Sequence, residues 1–224
     1  MRGSARSSES NLNWFTSDLH LNHENILKYC SRPFESLGAM NAALIERWNE
    51  TVKEEDTVYV VGDVFLGDAG AGAGLVRKLR GKKILIRGNH DRSHRTMLDS
   101  GFDEVWQRKT ISLLDGRSAL LCHKPLPESV LDHVALQIHG HRHEGPVVSG
   151  KRVNVCVDLW GYRPISESEI CSLRLGPKGP GSVTAEVVGD MIEIKASVKK
   201  EDMDGLLDHL QCFSRTIWDN KRKE

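Results

Sequence analysis

Five short segments of this 224-residue chain hold residue types that could do chemistry together: Asp18-Leu19-His20, Gly62-Asp63, Gly88-Asn89-His90-Asp91, His123 and Gly140-His141-Arg142-His143. Each lies just after an apolar run. Residues two apart on an extended chain point the same way, so Asp18 and His20 can grip one ion, and His141 and His143 can address one cluster. The glycines before Asp63, Asn89 and His141 permit sharp turns and close backbone approach. Hard carboxylates mixed with imidazoles suit Mn, Fe, Zn or Ni. Two ions about 3.5–4 Å apart need a bridging carboxylate to offset their repulsion, and such pairs assist hydrolysis of phosphate esters. A DxH or a GD alone is a weak signal; five such segments in one chain point to a metal centre.

The elements that must position these segments read as an α/β pattern. Asn13–Thr16, 57–61 and 84–86 are short β-rich runs. Helical stretches are expected over 24–30, over 38–52, where Met40, Leu44, Ile45, Trp48 and Val52 recur at three- and four-residue steps, and over 74–80. Buried strands separated by helices argue for a mostly parallel sheet covered on both faces, with the strand carboxyl ends converging on one ligand-binding rim. In the second half, Asp115-Gly116 between 110–114 and 117–122 suits a type I′ hairpin turn, and 134–138 and 153–157 add strands. The two halves are expected to supply one sheet each.

Taken together, the motifs DxH, GD, GNHD, H and GHxH resemble the signature of the calcineurin-like metallophosphoesterases, over roughly Phe15 to Ile170. FTSDLHLNHENI, the following RPF and TVYVVGD further resemble a compact bacterial and phage-type branch. The resemblance implies a four-layer α/β/β/α sandwich and two divalent transition-metal ions, with Mn favoured and Fe, Zn or Ni as alternatives. It maps the first metal site to Asp18, His20, Asp63 and His143, and the second to Asp63, Asn89, His123 and His141, with Asp63 bridging. It places His90 as a non-ligand histidine that contacts the substrate phosphate and can protonate the leaving group, and Asp91 as the residue that orients His90. Arg87 stands where the family's protein phosphatases keep a phosphate-binding arginine, although a solvated strand-end arginine fits equally. His23 and His139 could line the pocket or serve structural roles; His94, His133 and His209 have no motif context.

The implied function is metal-dependent hydrolysis of a phosphate mono- or diester, with a metal-activated hydroxide as nucleophile. A nuclease or nucleotide phosphodiesterase acting on nucleic-acid ends is the alternative within the enzyme class. Its support is the segment 77–95, with eight basic residues against Asp91 alone, which could form a field attracting phosphates or simply be a solvated helix face. A non-catalytic scaffold of the same fold is the alternative outside that class, and the presence of His90 speaks against it.

Composition is that of a globular protein: 39% hydrophobic and 28% charged residues, with Lys+Arg and Asp+Glu both 31. Zero net charge argues against a basic nucleic-acid coat or a membrane-surface protein, and no apolar run is long enough to span a bilayer. The five cysteines form no CxxC pair, which suggests reduced thiols and a cytoplasmic protein. The expected organisation is a flexible tail over 1–11 without a secretory h-region, a metallophosphoesterase domain over 12–172, a Gly/Pro-rich linker over 173–182 and a C-terminal appendage over 183–224. The appendage should contain a hairpin of 183–188 with 191–196 and a helix over 201–213. It is too small for much of a core of its own, and it could form a homodimer contact or bind a protein partner.

Overall fold

The computed structural model describes residues 11–173 and 175, together with the strands Val183–Val188 and Met191–Ala196. The chain divides into two compact units, Met1–Leu173 and Arg174–Glu224. In the second unit the two strands pair antiparallel, with Val188 opposite Met191, as a hairpin. The helix expected over 201–213 lies outside the described residues.

The first unit contains two five-stranded sheets. In the first, β1 (Asn13–Thr16), β2 (Thr57–Val60), β3 (Lys82–Ile86) and β4 (Glu104–Trp106) run parallel, in that spatial order. The second comprises β5 (Lys109–Ser112), β6 (Ser118–Leu121), β7 (Leu136–His139), β8 (Val148–Ser149) and β9 (Arg152–Asn154), in the order β5-β6-β7-β9-β8. A short strand, β10 (Ile165–Ser166), returns to the first sheet and pairs antiparallel with β1. This is the α/β/β/α-type architecture expected from the sequence. One detail differs: a strand of the second half joins the first sheet; within the second sheet β6, β7 and β9 are mutually parallel.

The helices α1 (Ile26–Tyr29), α2 (Leu37–Thr51), α3 (Ala69–Val76) and α4 (His94–Asp99) belong to the first-sheet half of the chain. Ser36 caps α2 by accepting the Ala39 N–H. Its buried stripe of Met40, Leu44 and Trp48 packs with Val58, Val60 and Leu85 of the sheet in one core cluster. Phe15, Ile84 and Ile86 are buried as well but stand outside that cluster, so the sheet is covered on both faces. Helix α3 begins earlier than the sequence suggests. Asp68 caps it through the Ala71 N–H, and Gly72 lets the helix lie directly on the Phe65 ring, where a Cβ would clash. These two features outweigh the poor helix propensity of the AGAGAG run.

The Asp115-Gly116 turn is not type I′. Only Gly116 has positive φ (82°), and its N–H donates to the Leu113 carbonyl while Leu113 N–H donates to Arg117. That is a type I turn followed by a left-handed glycine, the bulged hairpin. Helix α5 (Glu167–Ser172) closes the unit with a full capping box between Ser166 and Glu169. At the far edge, Glu104 ties the sheets together: it accepts from Lys82 of β3 at 2.9 Å and from Lys109 of β5 at 2.8 Å.

Candidate metal centre

The parallel ladder of β1 and β2 continues past both strand ends. Asp18 N–H donates to the Gly62 carbonyl at 2.9 Å and His20 N–H to the Asp63 carbonyl at 3.0 Å, which lays the DxH and GD segments side by side. The Gly140 N–H donates to the His123 carbonyl at 3.0 Å and His141 N–H to Asp18 Oδ2 at 2.9 Å, bringing the second-sheet segments to the same rim. Close approach is what the glycines supply. A Cβ at Gly62 would collide with the His123 ring, one at Gly88 with the Asp63 carboxylate, and one at Gly140 with Ser17 and Asp18. Four of the expected ligands adopt left-handed backbone: Asp18 (φ 56°), His20 (48°), Asp63 (54°) and His141 (70°). Such conformations are uncommon outside glycine and cluster at functional sites.

Asp18, His20, Asp63 and His123 are buried, while Asn89, His90 and His141 are exposed. Ligand atoms of Asp18, His20 and Asp63 lie within 4.8 Å of one another, as do those of Asp63, His123 and His141. His143 Nε2 is 3.8 Å from Asp18 Oδ1, and its ring centre is 5.2 Å from that of His20. Asn89 sits at the tip of the turn between Gly88 and His90.

A cation fits this donor set. His123 places Nδ1 2.8 Å from the Val61 carbonyl, so Nδ1 carries a proton and Nε2 is the atom turned into the cluster. That Nε2 and Asp18 Oδ1 are buried without a hydrogen-bond partner, and Nε2 faces Asp63 Oδ2 at 3.3 Å. Acceptors facing acceptors across a buried gap require a proton or a metal between them.

The electrostatics agree. Burial drives the Asp18 carboxyl upward, against the pull of His123, Ser17 and His143. For Asp63, burial is outweighed by His123, the His90 N–H and His20, which hold it at about 2. Burial lowers His20 to about 3, and partial desolvation at the rim lowers the more exposed His141 as well, favouring the neutral form that ligates metals. Burial also opposes protonation of His123, but the neighbouring Asp63 and Asp18 carboxylates raise it to about 8, so a second proton at Nε2 is the alternative to a cation in that gap.

The other expected site residues fall around this cluster. His90 donates its N–H to Asp63 Oδ1 at 2.9 Å, and its exposed ring is centred 5.8 Å from that of His20. The orienting role expected for Asp91 is corrected. Its carboxylate is buried and accepts the N–H groups of Gly88 (2.8 Å), Asp63 (3.0 Å) and Val64 (2.9 Å), so it fastens the GNHD turn to the GD turn and leaves His90 alone. His23 places Nδ1 3.2 Å from His20 Nδ1. Arg87 donates weakly to the Asp91 carbonyl at 3.4 Å, and its Nε is buried without a partner. His139 is buried, with Nδ1 2.8 Å from the Gly140 carbonyl, beside a cleft of about 740 Å³ lined also by Arg142, Arg152 and three prolines.

Three residues beside the cluster have no motif in the sequence. Asp158 Oδ2 lies 2.8 Å from His143 Nδ1, the buried Arg32 donates to both oxygens of Asp158 at 2.8 Å, and the Cys156 thiol lies 3.2 Å from the same carboxylate. The faint signals were the RPF triplet containing Arg32 and an acid shortly after an apolar strand, the pattern of Asp18 and Asp63.

Within the basic segment 77–95 several side chains have local partners. Lys82 pairs with Glu104, Arg95 with Asp99 and Arg80 with Glu54. Arg77, Lys83 and Arg92 donate to backbone carbonyls.

The sequence profile of the calcineurin-like phosphoesterases matches residues 14–125. An uncharacterised protein of Methanocaldococcus jannaschii is 36% identical over 169 residues, which are 71% of this chain and 89% of that protein. The chain belongs to the calcineurin-like phosphoesterase family. The gene 66 protein of Mycobacterium phage L5 is 29% identical over 196 residues, covering 71% of this chain and 92% of the phage protein. The crystal structure of a protein of unknown function from Aquifex aeolicus superposes with a TM-score of 0.62 at 28% identity, covering 74% of this chain and all of that one. The calcineurin-like phosphoesterase match contains Asp18, His20, Asp63, Asn89, His90 and His123; His141 and His143 lie beyond it and reach the same cluster through the loop after β7. No helix among the described residues is long and apolar enough to cross a membrane.

Proposed function

We propose that the protein hydrolyses a phosphate mono- or diester with two divalent transition-metal ions, Mn²⁺ favoured. The observation that carries this reading is the position of Asp63, which belongs to two neighbouring ligand groups at once. Asp18, His20, Asp63 and His143 would hold one ion; Asp63, Asn89, His123 and His141 the other. When bound, such a pair supplies Lewis acidity toward the phosphoryl oxygens and activates the attacking water.

The protein's own residues divide the remaining work. Asp63 N–H and carboxylate are fixed by Asp91 and by the His90 N–H, which holds in place the carboxylate common to the two ligand groups. His90, exposed at the rim beside His20, donates to the transferring phosphoryl group and passes a proton to the leaving oxygen as the P–O bond breaks. His23 and Arg87 flank the same rim as phosphate contacts. The catalytic function is assigned to residues 12–172, and the protein to the cytoplasm.

The nuclease alternative rests on the basic segment 77–95, of whose eight cations three pair with carboxylates. The deciding experiment is a panel of mono- and diester substrates, assayed on protein stripped of metal and then supplied with Mn²⁺. Activity should vanish with chelator and return with Mn²⁺, more fully than with Mg²⁺, since imidazole ligands are softer than Mg²⁺ prefers. Undiminished activity after verified metal removal would refute the reading.

A further inference from the structure

Arg32 and Asp158 form a buried pair behind the metal centre. Arg32 Nε donates to Asp158 Oδ1 and Arg32 Nη2 to Asp158 Oδ2, both at 2.8 Å, with the arginine side chain fully buried and the carboxylate 6% exposed. The same guanidinium donates to the Asp18 carbonyl at 2.7 Å and the Leu19 carbonyl at 2.9 Å. Arg32 thus braces the left-handed DxH turn from behind. On its other side, Asp158 Oδ2 meets His143 Nδ1 at 2.8 Å. One ion pair therefore links the segment that presents Asp18 and His20 to the segment that presents His143.

The chemistry of this chain of contacts is directional. A carboxylate that receives donors from Arg32 and from the Cys156 thiol can only accept, so His143 must carry its proton on Nδ1. In the neutral ring Nε2 is then the lone pair, and it is turned toward Asp18 Oδ1 at 3.8 Å. That separation is too long for a hydrogen bond, yet two ligands each about 2.0–2.2 Å from a common ion can span it. The other cluster is oriented differently: His123 is fixed by the Val61 carbonyl, with no part played by Asp158.

We propose that Asp158, clamped by Arg32, is a positioning residue for the first metal site alone: it locks His143 as the Nδ1–H tautomer and so governs that site's occupancy. The proposal rests on the two-metal reading above and adds to it a residue pair and a site preference.

The test uses full-length protein, stripped of metal and titrated with Mn²⁺, with bound metal counted by elemental analysis and affinity measured by calorimetry. Wild type should take up two Mn²⁺. Asp158→Asn should keep one equivalent at wild-type affinity and bind the other roughly 10–100-fold more weakly, the usual cost of losing such a partner. Two equivalents at unchanged affinity in folded Asp158→Asn would overturn the proposal. No uptake by wild type would instead fail the two-metal reading. Because Asp158→Asn strips a buried arginine of its counter-charge and could unfold the protein, the histidine tautomer is measured independently in metal-free wild type by ¹⁵N NMR. The His143 ring should show protonated Nδ1 and unprotonated Nε2; the reverse tautomer would refute the proposal whatever the variant does.

Discussion

His90 hands its backbone N–H, not its ring, to Oδ1 of Asp63, at 2.9 Å. The turn that carries His90 is thus anchored through main-chain atoms, and Asp91 anchors it again through Gly88. Removing the His90 imidazole leaves both anchors in place. His90→Ala should therefore retain both ions and the fold while kcat falls about 10²–10³-fold on an alkyl phosphoester. The loss should be smaller on p-nitrophenyl phosphate, whose leaving group needs little protonation. Metal content and kcat on the two ester types check this; loss of metal, or an unchanged alkyl-ester rate, contradicts it.

Asp63→Asn isolates the value of a shared charge. Asparagine can still accept the His90 N–H, so the turn keeps its anchor, but the negative charge between the two ligand groups is gone. Both ions should dissociate together, and activity should drop to background. Metal analysis after gel filtration is the measurement, and retention of even one tightly bound ion would count against a bridging role.

Gly88→Ala probes the packing beneath that bridge. The added methyl would collide with the Asp63 carboxylate and lie 2.7 Å from its backbone nitrogen. Overpacking of this kind costs about 1–3 kcal/mol, so the melting temperature should fall and Mn²⁺ affinity should fall with it. An alanine variant with wild-type Mn²⁺ affinity would show that the two turns have room to separate.

The Glu104 tie between the sheets makes a pH prediction. Hydrogen bonds from Lys109, Lys82 and Trp106 hold its carboxyl at about 2, below the ordinary 4.5. A carboxyl depressed in the folded state stabilises fully above its unfolded value and ceases to do so as pH falls through the folded one. The melting-temperature gap between wild type and Glu104→Gln should be open near neutral pH and close between about pH 4.5 and 2. A gap that is constant with pH would mean the carboxyl contributes no charge-dependent stability.

The sequence made the candidate ligands legible because metal chemistry restricts residue type, and Asp, His and Asn at successive strand ends stand out. It made β1 and α2 legible because their apolar spacing reports burial directly. Asp158 was illegible for the opposite reason. Its role depends on a contact with Arg32 across 126 residues of chain, and no spacing encodes that. Asp91 was misread because adjacency to His90 suggested a side-chain partnership, whereas a buried carboxylate is drawn to whichever N–H groups are unsatisfied, here the amides of two tight turns. The early start of α3 escaped notice because its favourable term is contact with Phe65, which propensity does not register. β10 escaped because two residues carry no period at all.

The left-handed residues at Asp18, His20, Asp63 and His141 bear on how this protein can be improved or lost. Glycine would relax the backbone at each of them, but at Asp18 and Asp63 it would also remove the acceptors of the His141 and His90 N–H groups. Any relief of strain there would be made at a proposed metal ligand. Relief of backbone strain and retention of the proposed ligands therefore pull against each other at these four positions.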